Sequence, residues 1–121
     1  MTTDQMSTDT LPHHLNLIYL AHPYGGDPRN LALAEDRRGK MQEREPRVII
    51  LAPWISMARQ QPDSGEMRRR ALELCCIVAS RCDAIVLTGT HISEGMAAER
   101  DACAAAGGTV IDLTDAREGT P

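Results

Sequence analysis

Residues 18–28 read Ile-Tyr-Leu-Ala-His-Pro-Tyr-Gly-Gly-Asp-Pro, and this stretch decides the fold. The apolar run Leu15–Ala21 that leads into it has no polar alternation after Asn16, the pattern of a strand covered on both faces. His22-Pro23 stops the run, because proline cannot donate to a sheet ladder. Gly25-Gly26 supplies a turn, and Asp27-Pro28 follows as an N-cap with proline at the first helical position. Strand, loop and helix start thus lie within fourteen residues, which is the opening of a βαβ unit.

The same grammar repeats outward from there. A helix is expected from Pro28 to Arg44, and Val48–Ala52 reads as a second buried strand ended by Pro53. Residues 53–65 carry Pro53, Pro62 and Gly65 and read as a loop with one helical turn around Ile55–Arg59. Met67, Ala71, Leu74, Val78 and Cys82 recur at helical steps, with Leu72, Cys75 and Ile77 widening the stripe. A helix over Gly65–Cys82 follows. Ala84–Leu87 is a third strand, Ser93–Ala106 an alanine-rich helix closed by Gly107-Gly108, and Thr109–Leu113 a last strand. Continuous apolar strands alternating with helices predict an α/β domain. Its expected form is an open, doubly wound, Rossmann-like or flavodoxin-like sheet of four to five mostly parallel strands. Residues 1–13 read as a disordered leader, 14–113 as the domain and 114–121 as a polar tail. Ligands of such sheets sit beyond the carboxyl ends of the strands, which singles out loops 22–29, 53–65 and 88–95.

Composition narrows the classes of function. Aromatic residues make up 2% (Tyr19, Tyr24 and Trp54), so Leu, Ile, Val, Ala, Met and Cys must build the core. The net charge of -4 argues against a nucleic-acid polymer as partner. Twelve of the thirteen basic residues are Arg, which keeps small anions as candidate ligands. No apolar run is long enough to span a membrane, and the leader lacks the regions of a signal peptide. Cys75, Cys76, Cys82 and Cys103 match neither a disulfide framework nor a zinc pattern, so four reduced thiols in a cytoplasmic protein are expected. No metal site is expected, since no His pair has ligand spacing. The P-loop and G-x-G-x-x-G fingerprints are absent. His22-Pro23 and Thr88-Gly89 stand where a phospho-acceptor receiver needs acids, and G-x-S-x-G does not occur.

Two segments at the carboxyl edge survive: Ile18–Asp27 and Ser93–Ala102, the latter reading S-E-G-M-A-A-E-R-D-A. Ser93 is a plausible N-cap, although Met96 stands where a capping box wants Glu or Gln. Glu99 lies one turn below Gly95 on the same face, and helical side chains lean toward the N-terminus. Its carboxylate is expected to face a gap at Gly95, with the first-turn N–H groups available to a phosphate. The helix dipole is expected to keep Glu99 ionised, as a carboxylate nucleophile requires.

Ile18-Tyr19-Leu20-Ala21-His22-Pro23, Asp83 and Gly95-x-x-x-Glu99 together resemble the nucleoside 2-deoxyribosyltransferase superfamily, which includes the 2′-deoxynucleoside 5′-monophosphate N-glycosidases. The resemblance runs over roughly residues 15–113. It implies that Glu99 attacks C1′ of a deoxyribose and expels the base, and that the hydroxyl of Tyr19 steadies the carboxylate. It implies further that Ser93, Gly95 and the Gly25-Gly26 loop serve a phosphate, and that Tyr24 stacks on the base. His22 joins the substrate-binding candidates. The resemblance also calls for an acid at the position of Cys75, so a proton donor must come from elsewhere, such as Glu73, His22 or His91. No metal or organic cofactor is needed. The expected partner is a small nucleotide or nucleoside, with a homodimer as the working unit. A nucleotide-binding sensor without catalysis is the alternative, and the arginine run Arg68–Arg70 leaves room for a pure interaction domain. Asp83 is expected to cap the strand entry, Trp54 to pack locally, and Arg68–Arg70 to form a solvated or subunit-contact face.

Overall fold

The computed structural model describes residues 14–60 and 65–115. The order is β1 (Leu17–Ala21), α1 (Pro28–Arg44), β2 (Ile49–Leu51), α2 (Pro53–Gln60), α3 (Gly65–Ser80), β3 (Ala84–Leu87), α4 (Glu94–Ala105) and β4 (Thr109–Asp112). The four strands form one parallel sheet in the order β2-β1-β3-β4. This is the α/β doubly wound architecture that the alternating pattern dictates.

The strand order explains the layering. The chain steps from β1 to β2 in one direction, then turns back across β1 to reach β3 and β4. Right-handed crossovers in opposite directions lie on opposite faces. Accordingly, Ile18, Leu20, Ile50, Ala84 and Val86 form one cluster with Met41 of α1 packed against it. Tyr19, Ala21, Ile85 and Leu87 form the other, with Cys75 and Ala79 of α3 and Met96 and Cys103 of α4. Alternate residues of each strand feed alternate faces, so β1 is sealed from Ile18 to Ala21. The reversal between β1 and β3 is the switch point at which such sheets bind ligands.

Local chemistry fixes the entries. Asp27 caps α1 by accepting the N–H of Arg29 (3.0 Å), with Pro28 behind it. Asp83 caps the head of β1: its Oδ2 accepts the N–H groups of Asn16 and Leu17, each at 2.9 Å. Gln42 of α1 accepts from Ile50 N (2.9 Å) and donates to Val48 O (2.7 Å), which protects the outer edge of β2.

Several expectations need correction. Residues 53–60 form a full helix in place of one turn, anchored where Trp54 Nε1 donates to Leu20 O at 2.9 Å. In α3 the buried residues are Cys75 and Ala79, whereas Met67 and Ile77 are exposed. Ile77 lies two residues from each of these, about 200° around the helix, so it points away from the sheet. α3 ends at Ser80 rather than Cys82. The ordered fold runs past Leu113: Thr114 is buried, bonded to Asp112 Oδ1, and Asp115 N donates to Gly89 O. The expected leader 1–13 and the end of the expected tail, 116–121, lie outside the described residues.

Candidate active site

Tyr19 occupies the middle of β1 on the face covered by α3 and α4, and it is wholly buried. A buried phenol needs a partner for its hydroxyl. Its O–H donates to Oε2 of Glu99, from the second turn of α4. Glu99 is 5% exposed, and its Oε1 carries no hydrogen bond from the described residues. Cys75 of α3 lies in the same buried cluster as Tyr19, and its Sγ is 3.9 Å from Met57 Sδ of α2.

The charge state of Glu99 differs from the expectation. Burial pushes its carboxyl up to about 7, and the bond from Tyr19 opposes this only in part. Helix-terminus fields fade within the first turn, whereas loss of water acts at full strength on a side chain this deep. At neutral pH the carboxyl is therefore divided between its two forms. Burial and the neighbouring carboxylate both push the Tyr19 hydroxyl up, so it remains a phenol. Burial pushes the Cys75 thiol up to about 11, so it remains protonated.

The start of α4 is built as a reciprocal cap. Ser93 Oγ accepts the N–H of Met96 (3.2 Å), and Ser93 N donates to Met96 Sδ (3.4 Å). A thioether thus does the work expected of Glu or Gln. The space over Gly95 is narrower than a bare gap: a Cβ there would sit 3.8 Å from Leu72 Cδ1 of α3, an ordinary contact.

The loop after β1 is rigidly placed. Asp27 N donates to Tyr24 O (3.1 Å), with Gly25 and Gly26 at φ 60° and 78°. These are the left-handed conformations of a type I′ turn. Asn30 Nδ2 also donates to Tyr24 O at 2.7 Å. Tyr24 itself is half-buried, and the two glycines are exposed. Arg68, from the first turn of α3, reaches this turn: its Nη2 lies 3.4 Å from where a Cβ on Gly26 would stand. The arginine run is exposed, as the sequence implied, but its first member is drawn to the site edge.

His22 is buried, and its Nδ1 pairs with the Pro23 carbonyl at 2.8 Å. A carbonyl only accepts, so Nδ1 carries the hydrogen and Nε2 is the bare nitrogen of the neutral ring. Burial lowers its pKa, and Arg37 and His91 push the same way. The ring lies against the Thr88-Gly89 turn, where Gly89 has φ 95° and a Cβ would fall 2.5 Å from Pro23 Cδ. Thr88 ties the two strand ends together, its N–H (2.9 Å) and Oγ1 (2.8 Å) both donating to Ala21 O. His91 and Glu73 are exposed, and Glu73 pairs with Arg70 at 3.3 Å.

The structure thus brings Tyr19 and Glu99 into direct contact. His22, Tyr24, Gly25 and Gly26 follow β1 at the carboxyl edge, where Ser93 and Gly95 open α4. Cys75, which widens the apolar stripe of α3 in the sequence, is buried together with Ala79 one turn on. Among the described residues no group of three or more His, Cys, Asp and Glu side chains could hold a metal ion. No described helix is long and apolar enough to cross a membrane.

Fold and site define a small α/β domain with a buried carboxyl–phenol pair beside its switch point. The chain belongs to the family described as a domain of unknown function, DUF7768, whose model matches residues 16–112. No curated protein matches it.

Proposed function

We propose that this protein cleaves, or exchanges across, the N-glycosidic bond of a (deoxy)nucleoside 5′-monophosphate or deoxynucleoside. The carrying observation is the Tyr19–Glu99 pair: a carboxylate shielded from water, with one oxygen held by a phenol. In its ionised form, Oε1 attacks C1′ of the sugar while the C1′–N bond breaks and its electron pair leaves with the base. A proton reaches the base from water or from an edge histidine. The glycosyl ester on Glu99 is then resolved by water or a second base, the double displacement of retaining glycoside chemistry. Tyr19 fixes the attacking group and stabilises the ionised form against burial.

The phosphate assignment is supported by three features of the carboxyl edge. These are the N-terminus of α4 at Ser93–Gly95, the Gly25-Gly26 turn, and the Arg68 guanidinium beside that turn. Tyr24 offers a face for the base. This reading includes a homodimer in the cytoplasm. The test is release of free base from a panel of (deoxy)nucleoside monophosphates and deoxynucleosides, which Glu99→Ala must abolish.

A non-catalytic nucleotide sensor is the second reading. It is favoured by the depth of Glu99 and by a carboxyl only part-ionised at neutral pH. Under that reading a nucleotide raises the melting temperature and is recovered intact after long incubation.

A further inference from the structure

Glycosidic cleavage needs a group that takes the sugar and a way for the base to leave. The first is Glu99, with Oε2 held by Tyr19 and Oε1 without a hydrogen bond from the described residues. The second depends on where the hydrogens around the site are held. A neutral base leaves with an electron pair on nitrogen, as an anion, unless an acid protonates it. Such an acid contributes about 10²–10⁴-fold to the rate. A base that already carries a positive charge leaves as a neutral molecule and needs no proton.

The nearby hydrogens are committed elsewhere. Tyr19 gives its own to Oε2 of Glu99. The Cys75 sulfur is directed at Met57 Sδ, 3.9 Å away. The ring hydrogen of His22 sits on Nδ1, held by the Pro23 carbonyl at 2.8 Å, and Nε2 is bare. Glu73 is exposed and paired with Arg70 at 3.3 Å. A departing base is left with solvent, or with a ring as open to solvent as His91, which is exposed with Nδ1 3.1 Å from Thr90 Oγ1.

The burial of Glu99 points the same way. The side chain is 5% exposed, and no Lys, Arg or His among the described residues forms an ion pair with it. Buried charges are normally paired, and an opposite charge close by favours the ionised carboxyl. A positively charged base above Glu99 supplies that partner from the substrate. The aromatic face of Tyr24 attracts a cationic ring more strongly than a neutral one.

We propose that the substrate is a nucleotide whose base carries a positive charge in the ring bonded to C1′, a pyridinium nucleotide or an N-alkylated purine nucleotide. Oε1 of ionised Glu99 bonds to C1′ as the C1′–N bond breaks, and the electron pair neutralises the ring nitrogen. No proton moves in this step. Water then adds to C1′ and releases the carboxylate, its spare proton going to solvent. The inference rests on the glycosidase reading and names the class of base within it.

The experiment uses matched pairs on the full-length protein. One pair is nicotinamide mononucleotide and its dihydro form, whose ring is neutral. The other is N7-methylguanosine monophosphate and guanosine monophosphate. The charged member of a pair is expected to release its base about a hundredfold faster or more in kcat/KM, the contribution of a missing acid. Glu99→Gln is expected to abolish that release. A gap in either pair supports the proposal and identifies the ring. Neutral members cleaved within about tenfold of the charged ones overturn it and leave the glycosidase reading standing. If no member of either pair releases base, the glycosidase reading fails for these nucleotides and melting temperatures decide the inference. A larger rise with nicotinamide mononucleotide than with its dihydro form, the difference vanishing in Glu99→Gln, supports recognition of a cationic base. Equal shifts, or none, overturn it.

Discussion

Tyr19 and Glu99 stand eighty positions apart in the chain, yet their side chains share a hydrogen bond inside the core. The sheet order makes this meeting possible. β1 and β3 are neighbours, and α4 follows directly from β3 on the face to which Tyr19 points. The cost of the arrangement falls on Glu99, whose carboxyl is pushed up to about 7.

That cost predicts a pH-dependent stability. The unfolded carboxyl releases its proton near 4.5, the folded one near 7. Between these values the folded state binds more protons, so stability falls as pH rises, and above about 7 the full penalty remains. Its size is roughly 3 kcal/mol. Glu99→Gln, neutral at every pH, is expected to melt above the native protein at pH 8, with the gap closing toward pH 5. Thermal melts of both proteins across that range check it.

Removing the phenolic oxygen acts in the same direction. The bond from Tyr19 is what lowers the carboxyl against burial. In Tyr19→Phe the Glu99 midpoint is therefore expected above about 7, and base release at pH 7 is expected to fall about tenfold or more. The loss should be partly recovered at higher pH. Rate profiles from pH 6 to 9 show whether the limb moves upward.

Gly89 is fixed by space as well as by conformation. A methyl there would meet Pro23 at 2.5 Å on a backbone at φ 95°. Gly89→Ala is expected to cost about 1–3 kcal/mol and to disturb His22, whose Nε2 lies 3.3 Å from the same point. Denaturant unfolding measures the first effect. The ring-proton shifts of His22 report the second.

Ser93 has a structural duty that separates from its proposed one. Loss of the cap in Ser93→Ala is expected to cost about 1 kcal/mol. If Ser93 also serves a phosphate, kcat/KM for a monophosphate falls while that for the matching nucleoside stays within about twofold. Equal losses on both substrates would confine Ser93 to the cap.

The backbone plan was legible because its signals are local and strong. β1, β2 and β3 are unbroken apolar runs, each stopped within two residues by Pro or Gly, and Asp27-Pro28 announces α1. The pairing of position 19 with position 99 was legible only through resemblance, since no periodicity links residues so far apart. Depth was not legible at all. Whether burial or the helix end governs Glu99 depends on how closely α3 covers α4, and Leu72 over Gly95 records that closeness. The helix Pro53–Gln60 was masked by its short length and initial proline, and it owes its position to Trp54 reaching Leu20 O. Met96 escaped notice as a cap because thioethers are rarely asked to accept there.

The central claim is that Glu99 takes the sugar onto itself. Intact-mass measurement of the protein, quenched during turnover of a deoxynucleoside monophosphate, tests it directly. The account predicts a transient added mass of one deoxyribose phosphate, carried by the peptide containing Glu99 and missing in Glu99→Gln. Base release that proceeds undiminished in Glu99→Gln, with no such adduct on the native chain, would contradict it.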